Sequence, residues 1–192
     1  MKLKFYFLSY LFFFSVIITN AQTWSSLTTG TNGIVYAMAG DTATGTLYVG
    51  GNFTNAGGVP VNYIAAWDGT TWSDVGGGVN NSVNTLYFSN GILYAGGNFT
   101  TAGGVAANFI AKWDGVSWTA LGTGMDNGIL TIGADTSGNI IAGGGFALAG
   151  GVAANHIAVW DGNNWDSLGT GLGVSGDYVE TIGIYNGDVY AG

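Results

Sequence analysis

The side chains able to do chemistry here form a short list. The 192 residues hold one His, eleven Asp+Glu, no Cys, and three Lys+Arg, all three of them Lys. A Ser-His-Asp system would have to use His156 as its base. That residue stands where Tyr63 and Phe109 stand in two sister segments, so its placement predicts an aromatic substitute at the edge of a core. The acids allow two further chemistries. Asp161-Gly162-Asn163-Asn164 offers several oxygens to calcium, but the alternating ligands and distal Glu of a calcium loop are missing, and we assign no metal. Composition leaves an acid pair for glycoside cleavage open. However, Asp68, Asp114 and Asp161 recur before Gly at one turn, where Asp accepts local backbone N–H bonds, and catalysis breaks repeat symmetry instead of following it. No catalytic residue and no cofactor is assigned.

The seven Trp raise carbohydrate stacking as an alternative to packing. Six fall in pairs five residues apart, Trp67 and Trp72, Trp113 and Trp118, Trp160 and Trp165, and such fixed places predict packing between repeats. Trp113→Ala is expected to cost roughly 3–5 kcal/mol, as for a buried large aromatic. A loss below about 1 kcal/mol would mark an exposed ring able to serve as a ligand platform.

The elements that position these residues follow from a repeat. Gly50-Gly51-Asn52-Phe53 returns as Gly96-Gly97-Asn98-Phe99 and as Gly143-Gly144-Gly145-Phe146. Each copy leads to Ala-Gly-Gly, then to Trp67-Asp68-Gly69, Trp113-Asp114-Gly115 or Trp160-Asp161-Gly162, then to the second Trp. A period of 40 to 50 residues points to propellers or solenoids. In the middle unit, four strands are expected at about 83–88, 92–96, 109–113 and 118–121. Asn90-Gly91 and Asp114-Gly115 would supply tight turns. The loop 98–108 is expected to run over the surface, and its Gly pairs to need positive φ or close approach to another strand. In Tyr63-Ile64-Ala65-Ala66-Trp67 both faces are apolar, so the strand must be covered twice, as in a sheet stacked between two others. A β-solenoid is the alternative, but it does not require a Trp-x4-Trp hairpin once per period. The fold class expected is all-β: a β-propeller of four-stranded blades at about 33–76, 80–122 and 128–169, with partial pieces at 23–29 and 177–192.

Leu93-Tyr94-Ala95-Gly96-Gly97 followed by Trp113-Asp114-Gly115 and Trp118 resembles a kelch-type propeller blade. The fuller form, Tyr-Val-Gly-Gly-Asn-Phe-Thr at 48–54 with Ala-Gly-Gly and Ile-Ala-x-Trp-Asp-Gly, is similar to the propeller repeats of fungal cortical polarity-marker proteins. It is also similar to those of large bacterial surface proteins exported by type IX secretion. The type IX pattern includes a carboxy-terminal sorting domain that these residues do not contain. Two chemistries known on related propellers are excluded by inventory: a galactose-oxidase-like copper site needs Cys and several His, and a sialidase-like carboxylate grip needs Arg. The fold hosts many functions, so the resemblance implies architecture more than activity.

Residues 1–21 read as a secretory signal, with Lys2 and Lys4, an apolar run from Phe5 to Ile18, and cleavage after Ala21. The apolar run of about 14 residues is too short for the roughly 20 of a membrane span. What remains, 22–192, carries Lys112 against eleven carboxylates, which excludes nucleic acid as a partner. Three full units with terminal pieces fall short of the usual four to eight blades, and the array is expected to continue beyond Gly192. A four-bladed ring completed by the terminal pieces is the alternative. The expected function is that of an exported, non-enzymatic propeller, secreted or at the cell surface, binding extracellular protein or glycan in adhesion. Asn52, Asn62, Asn98 and Asn108 are its candidate contacts. The alternative is the front of a secreted carbohydrate-active hydrolase or lyase whose acids lie past residue 192, and a third reading is a spacer without a pocket.

Overall fold

A computed structural model describes residues 27–173 and 177–192. The expected signal segment and most of the piece at Trp24 lie outside the described residues.

The described chain is all-β. Blade I comprises β1 (Ile34–Asp41), β2 (Thr46–Asn52), a small hairpin of β3 (Asn55–Ala56) and β4 (Val59–Pro60), then β5 (Ile64–Trp67) and β6 (Trp72–Asp74). Blade II repeats this with β7 (Val83–Ser89), β8 (Ile92–Gly97), β9 (Thr101–Ala102), β10 (Val105–Ala106), β11 (Ile110–Trp113) and β12 (Trp118–Ala120). Blade III has β13 (Ile129–Ala134), β14 (Ile140–Gly144), β15 (Leu148–Ala149), β16 (Val152–Ala153), β17 (Ile157–Trp160) and β18 (Trp165–Ser167), and a fourth sheet pairs β19 (Ile182–Tyr185) with β20 (Asp188–Ala191). In each full blade the four long strands run in the order first, second, fifth, sixth, all antiparallel, and the small hairpin is inserted at one end. First strands of successive blades pack side by side, β1 on β7, β7 on β13 and β13 on β19. This is propeller architecture.

The turns obey local chemistry. Asn90 (φ 52°) and Gly91 (φ 79°) both adopt the positive φ of a primed hairpin turn between β7 and β8. The Gly doublets work differently. A Cβ on Gly96 would lie 2.6 Å from Ile129 Cγ2 of the next blade, and one on Gly50 would lie 2.6 Å from Val83 Cγ1. The first Gly of the doublet therefore lets the neighbouring blade approach, which leaves the core between blades. One such core joins Ile64, Ala66 and Val75 of blade I to Val83, Leu86 and Leu93 of blade II, and the next joins Ile110 and Leu121 to Ile129, Ile132 and Ile140. Every inner sheet is thus covered twice, as the apolar third strand requires.

Two expectations need correction. Residues 98–108 are no plain surface loop, because they carry the β9-β10 hairpin and bury Phe99, Ala102 and Ala107. The third strand begins at Ile110, since Phe109 sits at φ 66°, outside extended geometry. At the two ends of the stack, Ile34 and Met38 on β1 and Tyr185 and Tyr190 on β19-β20 are exposed, where no described sheet lies against them.

Candidate binding face

Antiparallel order sends the strand ends to two faces. The inserted hairpins and the crossovers from one blade to the next share one face, and the turns holding Asp68, Asp114 and Asp161 share the other.

On the turn face the repeated acids are engaged locally. Asp114 Oδ1 accepts the N–H groups of Val116 (2.9 Å) and Ser117 (2.7 Å), and Asp161 Oδ1 accepts those of Asn163 and Asn164. Asp68 accepts the Thr71 N–H and both the hydroxyl and N–H of Thr70. Those donors hold the Asp68 carboxyl well below the usual carboxylate range, with the Thr71 N–H first among them. The backbone N–H groups of Ser117 and Val116 lower Asp114, and those of Asn164 and Asn163 lower Asp161. Carboxyls so held carry no proton near neutrality and are unsuited to act as general acids. The following glycines, Gly69, Gly115 and Gly162, take φ near 100°, which closes the turn.

The Trp pairs divide their labour. The rings of Trp113 and Trp118 lie 5.6 Å apart at 45°, and the other two pairs repeat this at 5.3 Å. Trp118 is buried, 6% exposed, and its Nε1–H donates to the Val75 carbonyl of the preceding blade at 2.8 Å. Trp165 donates likewise to Leu121, and Trp72 to Leu27. Trp113 is only partly buried and lies over Gly76 at the end of blade I, with Trp160 over Gly122 of blade II. The second Trp is therefore the deep anchor, and Trp113, expected as a buried aromatic packed between repeats, is only partly buried.

His156 occupies the place its sister residues predict. Its N–H donates to Phe146 O and its carbonyl accepts from Gly144 N–H, as Phe109 bonds Phe99 and Gly97 and Tyr63 bonds Phe53 and Gly51. All three take positive φ, His156 at 75°. Among the described residues, no group of three or more His, Cys, Asp or Glu could hold a metal ion.

The four candidate Asn lie together on the hairpin face, and all are exposed. Asn62 Nδ2 donates to the Gly77 carbonyl and Asn108 Nδ2 to that of Thr123, so both amides hold crossovers, and Asn98 Nδ2 donates to Ser82 Oγ. Between blades I and II, a groove of about 280 Å³ is lined by Asn62, Tyr63, Asn80 and Thr101 among others. Two sets escaped the sequence reading. Asn32, Asn80 and Asp126 each use a side-chain oxygen to accept two consecutive N–H groups of the small hairpin, as Asn80 does from Thr100 (2.8 Å) and Thr101 (3.0 Å). Their signal was Asn or Asp at one fixed place before each blade. Tyr36, Asn84, Leu130 and Glu180 line an open depression of about 390 Å³ among the first strands. Their residue types differ from copy to copy, so a repeat comparison passes over them.

Propeller architecture defines a scaffold class, not an activity. Within that class, the family model of the Rax2 C-terminal beta propeller domain matches residues 17–187, and the chain belongs to this family. The computationally designed Ika8 protein aligns at a TM-score of 0.55 and 17% identity, covering 85% of this chain and 44% of that one. YCF48 from Cyanidioschyzon merolae aligns at a TM-score of 0.38 and 13% identity, over 84% of this chain and 64% of that one. The chain thus spans less than two thirds of either solved structure, and the likeness to Ika8 concerns fold alone. No curated protein matches.

Proposed function

We propose that the chain is a propeller of an exported, non-enzymatic protein, secreted or at the cell surface, whose hairpin face binds extracellular protein or glycan in adhesion. The carrying observation is the division between faces. Repeated acids and Trp are committed to turns and blade contacts, while the hairpin face is rich in exposed Asn, Thr and backbone polar groups beside a groove. Surfaces of this kind give direct and water-bridged hydrogen bonds to polar ligands without a charged anchor. Asn52 is the contact with most freedom, and Asn62, Asn98 and Asn108 contribute through the crossovers they hold. Export supports the same reading through the amino-terminal pattern at residues 1–21.

Export is checked by sequencing the amino terminus of protein recovered outside the producing cell, which is expected to begin at Gln22. Binding is checked by presenting the chain to a broad glycan array and a panel of extracellular proteins. Saturable binding without turnover of the ligand is expected. Cleavage of an arrayed glycan would favour the hydrolase or lyase alternative, and silence on both panels would favour a spacer.

A further inference from the structure

The first strand of each blade carries a β-bulge at one equivalent place. Pairing skips from Val35 to Ala37, from Val83 to Thr85 and from Ile129 to Thr131, leaving Tyr36, Asn84 and Leu130 unpaired in the ladder. The fourth copy follows. A Cβ on Gly143 would lie 2.6 Å from Val179 Cγ1, as that on Gly50 would from Val83, and the N–H groups of Glu180 and Thr181 both donate to Gly192 O. Glu180 therefore holds the bulge position. A bulge re-aims one side chain out of the regular ladder. Here Tyr36, Asn84, Leu130 and Glu180 line one open depression of about 390 Å³.

The flanking positions repeat closely. Before the bulge stand Val35, Val83, Ile129 and Val179, and after it Ala37, Thr85, Thr131 and Thr181. The bulge residue changes class from blade to blade, from phenol to amide to aliphatic to carboxylate. No side chain is repeated at this position, and Asn84 there also ties blade II to blade III.

We propose that these four bulge residues form an axial site for a primary ammonium on an aliphatic stem, the chemistry of a lysine side chain or of a free alkyl diamine. Asn84 Nδ2 donates to the Ile129 carbonyl at 2.9 Å, which fixes the amide and leaves its oxygen as the group to offer. Glu180 supplies a carboxylate and Tyr36, 49% exposed, an aromatic face for a cation. Leu130 lies beside the stem. No cation lines the depression, and the chain's net charge of −8 favours approach of a positive group. Asn52, Asn62, Asn98 and Asn108 do not line this site, so its failure leaves the hairpin-face proposal standing.

The test is an NMR titration of the full chain, following the Leu130 methyl and Asn84 side-chain amide signals. The probes are a capped Gly-Lys-Gly peptide, its norleucine counterpart and 1,5-diaminopentane. Saturable shifts with the lysine peptide or the diamine, and none with norleucine, are expected, and the tighter of the two identifies the source. Glu180→Gln should weaken binding about fivefold, the scale of an exposed charge pair. Tyr36→Leu should weaken it a further two- to fivefold, roughly one cation–π contact at an exposed site. Raising the salt on the unaltered chain should weaken it as well, a readout that no folding defect can mimic. Equal shifts with norleucine, no saturation with either amine, or affinity indifferent to both salt and Glu180→Gln would overturn the proposal.

Discussion

Trp118 and Trp113 show how five positions separate two roles. Trp118 is buried and its N–H reaches the carbonyl of Val75, so Trp118→Ala removes ring packing and a blade-to-blade bond together. Urea unfolding should register a loss of roughly 3–5 kcal/mol for this change. Trp113→Ala should lose clearly less, because that residue is only partly buried. Equal losses would mean that both rings are equally buried. The turn acids make a second residue-scale prediction. Asp41, Asp68, Asp114 and Asp161 titrate below their ordinary value, Asp41 through the Thr44 hydroxyl first. Their contribution is therefore complete above the unfolded value of about 3.9 and is lost as pH falls through the lower native values. Thermal midpoints should hold steady above about pH 5 and decline below about pH 4. Replacing Asp68, Asp114 and Asp161 with Asn, which still accepts the N–H bonds but does not titrate, should flatten that decline. An unchanged acid limb would show that other groups control it.

Elements were legible in the sequence where local chemistry was strong. Asn90-Gly91 marked the β7-β8 hairpin, and the two-faced apolar run before Trp67 marked a doubly covered strand. The small hairpins were not legible, because two-residue strands around Ala-Gly-Gly carry no alternation to read. Nor was their fastening, since the partners of Asn80 lie 20 and 21 residues away. The fastening makes an element-scale prediction. Asn80→Ala should cost on the order of 1 kcal/mol for its lost bonds, with faster hydrogen exchange at the Thr100 and Thr101 amides. Asn80→Asp should preserve their protection, because Asp126 does the same work in blade III. Protection unchanged in the Ala variant would show that Asn80 does not hold the hairpin.

At the scale of the molecule, the repeat period indicated a propeller and the Gly doublets explain how its blades close on one another. Each blade is stabilised chiefly by its neighbours, as in other repeat arrays. The candidate site was legible only in part. The four Asn were assigned to loops, and they do share a face, but the sequence could not reveal that Asn62, Asn98 and Asn108 also tie down crossovers. The bulge residues were hidden because register is a property of paired strands, not of one strand's composition. The proposed division of labour is that repeated residues build the scaffold while the hairpin face binds. Its most direct measurement is the glycan and protein array run in parallel on the unaltered chain and on one carrying Asn52→Leu and Asn98→Leu, both with native near-UV circular dichroism. Saturable binding by the unaltered chain, reduced at least about tenfold in the variant, is the predicted result, a loss of about 1.4 kcal/mol. No binding by the folded chain, or binding indifferent to both substitutions, would contradict it.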